Sequence, residues 1–168
     1  MIKSKTSQLI LIALMSAISL GLYALENLIP PIVPVPGVKL GLANIVTLVC
    51  MYILDTRSAF VVLLVRILIS TLLFGQPVSF VFSLFGGVLS FLTMAFLKRF
   101  MDKSNIWAIS VFASFAHNAG QIIAAIIITG EYTVAYYFLF LVISSVITGV
   151  FTGVSAQTVI KKFEKIRK

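Results

Sequence analysis

Residues 106–128, IWAISVFASFAHNAGQIIAAIII, run from end to end without one charged side chain. As a helix rising ~1.5 Å per residue, a run of this length covers a hydrocarbon layer of ~30 Å. It has counterparts on both sides: apolar stretches occupy residues 9–29, 40–54, 59–74, 78–97 and 133–159. The chain therefore reads as six successive membrane helices. The second and third stretches are short and parted only by Asp55-Thr56-Arg57, so a four-span alternative leaves one of them re-entrant. Composition points the same way. Hydrophobic residues fill 60% of the 168 positions and charged ones 11%, with a mean hydropathy of +1.13, whereas soluble domains are roughly a quarter charged. The expected fold is all-α, a polytopic integral membrane protein built as a compact bundle of six transmembrane helices, with residues 1–168 forming one transmembrane domain.

Lys and Arg beside membrane spans are retained on the cytoplasmic side. With six spans both termini share one side. That side collects Lys3, Lys5, Arg57, Lys98, Arg99, Lys103, Lys161, Lys162, Lys165, Arg167 and Lys168, eleven of the thirteen cations. The opposite loops hold Lys39, and Arg66 lies inside a span. Both termini are expected in the cytoplasm, with the chain multi-pass in the cell membrane. The net charge of +8 largely expresses this topology, with some attraction to anionic membrane lipid. Nucleic acid is not an expected partner, because the basic residues are scattered over short loops. Lys3 and Lys5 before an apolar run also resemble a secretory signal, but the run is too long and no small-x-small site precedes Glu26. Cys50 is the single cysteine, so the chain offers neither an internal disulfide nor a thiolate metal cluster, and Cys50 reads as a packing residue.

The connections between spans are too short for a nucleotide-binding domain, and no GxxxxGK[ST], HExxH, GxSxG or paired-carboxylate motif occurs. The acids are Glu26, Asp55, Asp102, Glu131 and Glu164, all at span ends or in loops. A Mg²⁺-diphosphate enzyme needs several carboxylates converging on one site. The chain reads as a non-enzyme without cofactor or metal.

Polar residues inside the apolar runs carry the remaining information, because an ionisable group in a membrane is costly unless paired or facing water. Arg66 lies near the middle of the third span, too deep to snorkel easily. It is either an anion-binding charge in a central cavity or a structural partner for carbonyls or for Glu26. In the fifth span His117 and Gln121 share a helical face, with Asn118 at its edge. That face either hydrogen-bonds a ligand or packs against a neighbouring helix, where such contacts are worth ~0.6 kcal/mol each. His117 without carboxylates is not read as a metal ligand.

Residues 30–36, PPIVPVP, hold four of the five prolines. Repeated Pro fixes φ and removes donors, which makes a stiff extended segment, a lid over an outer cavity or a rigid connector. Lys39 and Asn44 then bracket the start of the second span, and Glu26 and Asn27 end the first. Small residues mark helix contacts in lipid: Ala13, Ala17 and Gly21 recur every four residues in the first span, and Gly149 and Gly153 form a GxxxG pair in the last. Internal packing is the default reading for both.

Taken in order, the Ala13-Leu14-Met15-Ser16-Ala17 element, the Pro-rich outer loop, Val38-Lys39-Leu40-Gly41-Leu42-Ala43-Asn44-Ile45 and Leu64-Val65-Arg66-Ile67 resemble the substrate-binding S components of energy-coupling-factor transporters. More closely, nearly the whole chain resembles the membrane family labelled heptaprenyl diphosphate synthase component I, also called the Gx transporter family. The resemblance implies a solute binder that captures its ligand near the outer face and docks on a transmembrane coupling subunit driven by two ATPases. It implies that Ala13 and Ala17 are the docking surface and residues 30–36 the gate. The ligand residues Lys39, Asn44, Arg66, His117, Asn118 and Gln121 rest on the physical argument.

The cations among those residues and the scarcity of acids favour a solute bearing carboxylate or phosphate, with Phe74, Phe80, Phe82 and Phe85 offered to any aromatic or isoprenoid part. The family label supports a competing expectation: a non-catalytic subunit that holds a prenyl diphosphate synthase at the membrane through its basic loops and residues 161–168. A third is a membrane-embedded redox assembly factor or anchor.

Overall fold

The computed structural model describes residues 5–29, 41–74 and 77–166. Among them are six α-helices and no strand: α1 (Lys5–Glu26), α2 (Asn44–Ile53), α3 (Thr56–Phe74), α4 (Pro77–Leu97), α5 (Ile106–Thr129) and α6 (Phe138–Ile166). Short 3₁₀ turns at Lys103–Asn105 and Tyr132–Tyr137 lead into α5 and α6. The five long helices are each apolar and long enough to cross a membrane, and α2 is a ten-residue helix. The molecule is a multi-pass, all-α membrane protein.

Local sequence accounts for the helix ends. Asp55 opens α3, its carboxylate accepting the Ser58 N–H at 2.8 Å and the Ser58 hydroxyl at 2.9 Å, as an N-cap should. Pro77 stands at the first position of α4, where its missing N–H has no helical partner to lose. α5 ends where Gly130 turns to φ +72 and donates its N–H to Ile126 O at 2.8 Å.

α1 is amphipathic in the reverse sense to a helix of a soluble protein. The buried positions of α1 are Ser16, Ser19, Tyr23 and Glu26, one polar stripe spaced at three and four residues. Its leucines and isoleucines, including Leu9, Ile10, Leu14 and Ile18, face outward. With hydrocarbon outside, the apolar side chains gain nothing by burial, and the polar ones must find partners within the bundle.

α2 sits at the centre, packed by α1, α3, α4 and α6, and eight of its ten residues are buried. Its own length is only ~15 Å, so it fills half the depth of the bundle. α4, α5 and α6 pack closely through glycines. A methyl on Gly120 would lie 2.6 Å from Phe85 O, one on Gly149 2.5 Å from Val111 Cα, and one on Gly153 2.6 Å from Trp107 Cα. α1 is peripheral, lying on α3 and α2.

Four side chains, Gln8, Lys98, Lys103 and Gln157, gather the basic segments at one end. Gln8 donates to Asp55 and Ser58 at 3.1 and 3.0 Å. Lys98 Nζ reaches Met51 O and stands 5.0 Å from the Tyr52 ring centroid. Lys103 pairs with Glu164, and Gln157 donates to Ser104 O. The start of α1, the α2–α3 and α4–α5 turns and the end of α6 therefore share one face of the bundle.

Candidate functional site

α5 carries Ser110, Ser114, His117 and Gln121 at steps of four, three and four residues, one continuous stripe with Asn118 at its edge. All five are buried. The His117 ring fits between two glycines: a methyl on Gly41 would lie 2.9 Å from its Cδ2, and one on Gly86 2.8 Å from its Cε1. Gly41 also has φ +82, a conformation that glycine adopts without cost. The turn into α2 and the space for the imidazole thus depend on the same residue. Asn44 Nδ2 lies 3.2 Å from His117 Nδ1. With that amide donating, the neutral ring carries its proton on Nε2, and Nε2 has no partner.

Arg66 approaches from α3 beside the second glycine of α4, where a methyl on Gly87 would lie 3.5 Å from its Nη2. It is 3% exposed, and its Cζ lies 5.9 Å from the Tyr23 ring centroid, within cation–π range. Glu26 and Tyr23 act on it electrostatically, and its own charge reaches His117. Its Nε and Nη2 have no hydrogen-bond partner. Glu26 Oε1 accepts the Gly41 N–H at 2.5 Å, tying the end of α1 to the start of α2.

The stripe continues in both directions from His117. Gln121, 1% exposed, has an unpartnered Oε1. Asn118 turns to α6, its amide nitrogen donating to Leu141 O at 2.9 Å and Ser145 Oγ at 3.0 Å, while its Oδ1 is unpartnered. Toward the basic end lies a cavity of about 10 Å³ walled by Gly41 and Asn44, Ser90 of α4, Ser114 of α5, and Thr148 and Thr152 of α6. That is room for about one water. Ser90 Oγ and Ser114 Oγ in its wall have no partner, whereas Ser110 and Thr152 bond each other at 2.7 Å.

An orphaned buried polar group costs about 1–3 kcal/mol, and among the described residues seven of the ten unpartnered buried side-chain atoms lie in this cluster. Arg66 supplies donors suited to an anion, and His117 Nε2 adds another when the Asn44 amide donates to Nδ1. Asn44 thus meets His117 and the charge of Arg66 reaches the imidazole, Gln121 lies one turn along the same face of α5, and the amide nitrogen of Asn118 is engaged between helices. Lys39 and residues 30–36 lie outside the described residues. Ser90 and Ser114 were not among the expected site residues. Ser114 was discoverable, lying three residues before His117 on the same face. Ser90 was not, since only packing of α4 against α5 brings it there.

The four phenylalanines do not gather in one pocket. Phe82 is buried with Ile122 and Leu141, Phe74 lies 5.8 Å from Tyr23, and Phe80 packs against the α2–α3 core. The two small-residue patterns also part company. Gly149 and Gly153 are spent on α5, but Ala13, Ala17 and Gly21 are exposed, and Gly21 has no atom within 4 Å of an added methyl. Among the described residues, no group of three or more His, Cys, Asp or Glu is assembled. At the basic end an open groove of about 840 Å³ runs between α1 and α3, lined by Lys5, Gln8, Leu9, Asp55, Arg57 and Val61, and shares no lining residue with the polar cluster.

Burial raises the Asp55 pKa, but the Ser58 N–H and hydroxyl and the Arg57 charge outweigh it and hold the carboxyl below its ordinary value. Lys98 is lowered, chiefly by burial, against the favourable pull of Asp55.

The family model described as heptaprenyl diphosphate synthase component I matches residues 15–159 of the chain. No curated protein and no solved structure matches it.

Proposed function

Since the chain belongs to the heptaprenyl diphosphate synthase component I family, we propose that it is the substrate-binding S component of an energy-coupling-factor type importer, capturing a small anionic solute and delivering it with a coupling subunit and ATPases. The observation that carries this reading is the cluster of buried, unpartnered polar atoms around Arg66 and His117. A protein that only scaffolds another has no need of orphaned donors at its centre, and replacing them by apolar groups stabilises such a core. In this reading Arg66 and His117 hold the anion, Asn44 orients the imidazole, and Gln121 meets a further polar part of the solute.

The exposed Ala13, Ala17 and Gly21 ridge on α1 favours docking on a transmembrane partner, because close backbone approach is how helices associate in lipid. The basic end faces the cytoplasm, where cationic flanks are retained, and the chain resides in the cell membrane.

The family's description supports a second reading, a non-catalytic membrane subunit of a prenyl diphosphate synthase that docks its partner on the same basic end. The two readings separate on one experiment. The chain is purified from its native membrane, and co-purified proteins and retained small molecules are identified by mass spectrometry, for the unaltered chain, for Ala13→Trp/Ala17→Trp and for Arg66→Ala. Recovery of a coupling subunit and ATPases that the Trp pair abolishes, with an anionic solute that Arg66→Ala releases, supports the importer. A prenyl synthase in their place, no solute, and indifference to both changes would sink it.

A further inference from the structure

The groove between α1 and α3 has a volume of about 840 Å³, within the ~300–1,000 Å³ of pockets that take whole small molecules. Both helices run into the bundle from this end, α1 from Lys5 and α3 from Thr56, and both pass from charge to hydrocarbon as they go. On α1, Lys5 is followed at four and seven residues by Leu9 and Ile12. On α3, Arg57 is followed at four by Val61, and all five residues line the groove. At ~1.5 Å per residue the apolar floor begins ~6 Å below the cations. Leu9 and Val61 are themselves exposed, so the floor opens on the membrane and is not closed against the core.

The charges of the groove do not cancel. Asp55 is the only acid among its lining residues, and its carboxylate already accepts from the Ser58 N–H, the Ser58 hydroxyl and the Gln8 amide. Arg57 acts on Asp55 electrostatically, yet among the described residues the ion pair formed is Lys103 with Glu164, and neither Lys5 nor Arg57 closes one. Two cations over one engaged acid leave positive charge at the level of the headgroups, with hydrocarbon-facing side chains beneath it.

We infer that the groove is the seat of an anionic phospholipid from the leaflet at the basic end: Lys5 and Arg57 hold the headgroup phosphate from two helices, and one acyl chain lies along Leu9, Ile12 and Val61. Basic residues between membrane helices attract such headgroups, and the acyl chain gives up nothing in moving there from bulk lipid. A polypeptide loop suits the groove less well, because a floor open to hydrocarbon leaves its backbone groups without partners. The bound lipid also clamps α1, the peripheral helix, to α3. It serves an importer or a synthase subunit alike.

Native mass spectrometry of the purified full chain, delipidated and released from detergent, measures the one-to-one adduct with phosphatidylglycerol and with phosphatidylcholine of the same chains. Phosphatidylglycerol is expected to bind roughly tenfold more tightly. Lys5→Gln and Arg57→Gln each reduce that preference about fivefold, while Lys161→Gln/Lys162→Gln, exposed at the same end but outside the groove, leaves it intact. Val61→Trp keeps both cations but fills the floor, and is expected to abolish the preference. The headgroup alone, sn-glycero-3-phosphoglycerol, is expected not to compete at the lipid's concentration. Equal binding of the two lipids by the unaltered chain overturns the inference, and that comparison needs no variant to fold. Equal loss in the Lys161→Gln/Lys162→Gln pair, or persistence in Val61→Trp, overturns it by assigning the preference to diffuse surface charge. Competition by the bare headgroup removes the acyl chain from the site. A co-purifying protein lost from Val61→Trp, with the two lipids undistinguished, gives the groove to that protein.

Discussion

The Asn44 amide nitrogen stands 3.2 Å from Nδ1 of His117, joining the short central helix α2 to the middle of α5. The ring it orients is closed in by Gly41 before α2 and Gly86 on α4. Three elements therefore meet on one imidazole, and a change in any of them is felt by the others.

The fit around that ring makes Gly86→Ala costly. The new methyl would lie 2.8 Å from His117 Cε1 and 3.0 Å from His117 O, overpacking of a kind that costs about 1–3 kcal/mol. In a His117→Ala background the nearest obstacle is gone, so the penalty of Gly86→Ala is expected to shrink by a clear fraction, the mark of coupling between contacting residues. Thermal unfolding of the four proteins in detergent measures it. Strict additivity would refute the wedged geometry.

Methyl groups on α6 should be far less tolerated than on α1. Gly149→Ala and Gly153→Ala drive a carbon to within 2.5 and 2.6 Å of α5 backbone atoms, whereas Gly21→Ala meets nothing within 4 Å. The expected melting temperatures fall clearly for the first two and hold or rise for Gly21→Ala, since alanine is the better helix former by about 1 kcal/mol. Equal losses at all three positions would contradict the packing assigned to α6.

Acid should weaken the start of α3 through Asp55. Its folded pKa is depressed by Ser58 and Arg57 against the opposing effect of burial. A depressed carboxylate contributes stability that is full above its unfolded value of about 3.9 and is lost as pH falls through the lower folded value. Asp55→Asn keeps a capping oxygen but removes the titration. Melting curves between neutral pH and pH 3 are expected to converge for Asp55→Asn and the unaltered chain at the acid end. An acid limb unchanged by the substitution would place the effect on another group.

Cys50 is fully buried in α2, so it should resist maleimide until the protein unfolds. In a Cys50→Ala background, Ser104→Cys and Glu131→Cys put thiols on exposed positions of the two opposite ends. In intact cells a membrane-impermeant maleimide is expected to label Glu131→Cys, and Ser104→Cys only after permeabilisation. The reverse pattern would invert the proposed orientation.

The reach of one-dimensional reading differs between the fold and the site. The helices α1, α3, α4, α5 and α6 were legible because a membrane span announces itself by length and uninterrupted hydropathy, both local properties of the chain. Arg66, His117 and Gln121 were legible as interior residues for a related reason: hydrocarbon rejects polar groups, so a polar position in an apolar helix must face inward. The second span was harder. A helix is described only from Asn44 to Ile53 of the expected 40–54, and its burial on nearly all sides has no periodicity to reveal it.

What the sequence by itself determined is the class of molecule, its helices and the polar stripes they turn inward, because these follow from the solvent around the bundle. Which stripes meet was decided by tertiary structure. The contact of Gly86 with His117, the approach of Arg66 beside Gly87, the recruitment of Ser90, and the sorting of GxxxG to the interior and Ala13, Ala17 and Gly21 to the surface all depend on helix order and close backbone packing. Those contacts join residues far apart in the chain, and hydropathy, which ranks each residue against lipid, carries no information about which neighbour a buried residue will touch.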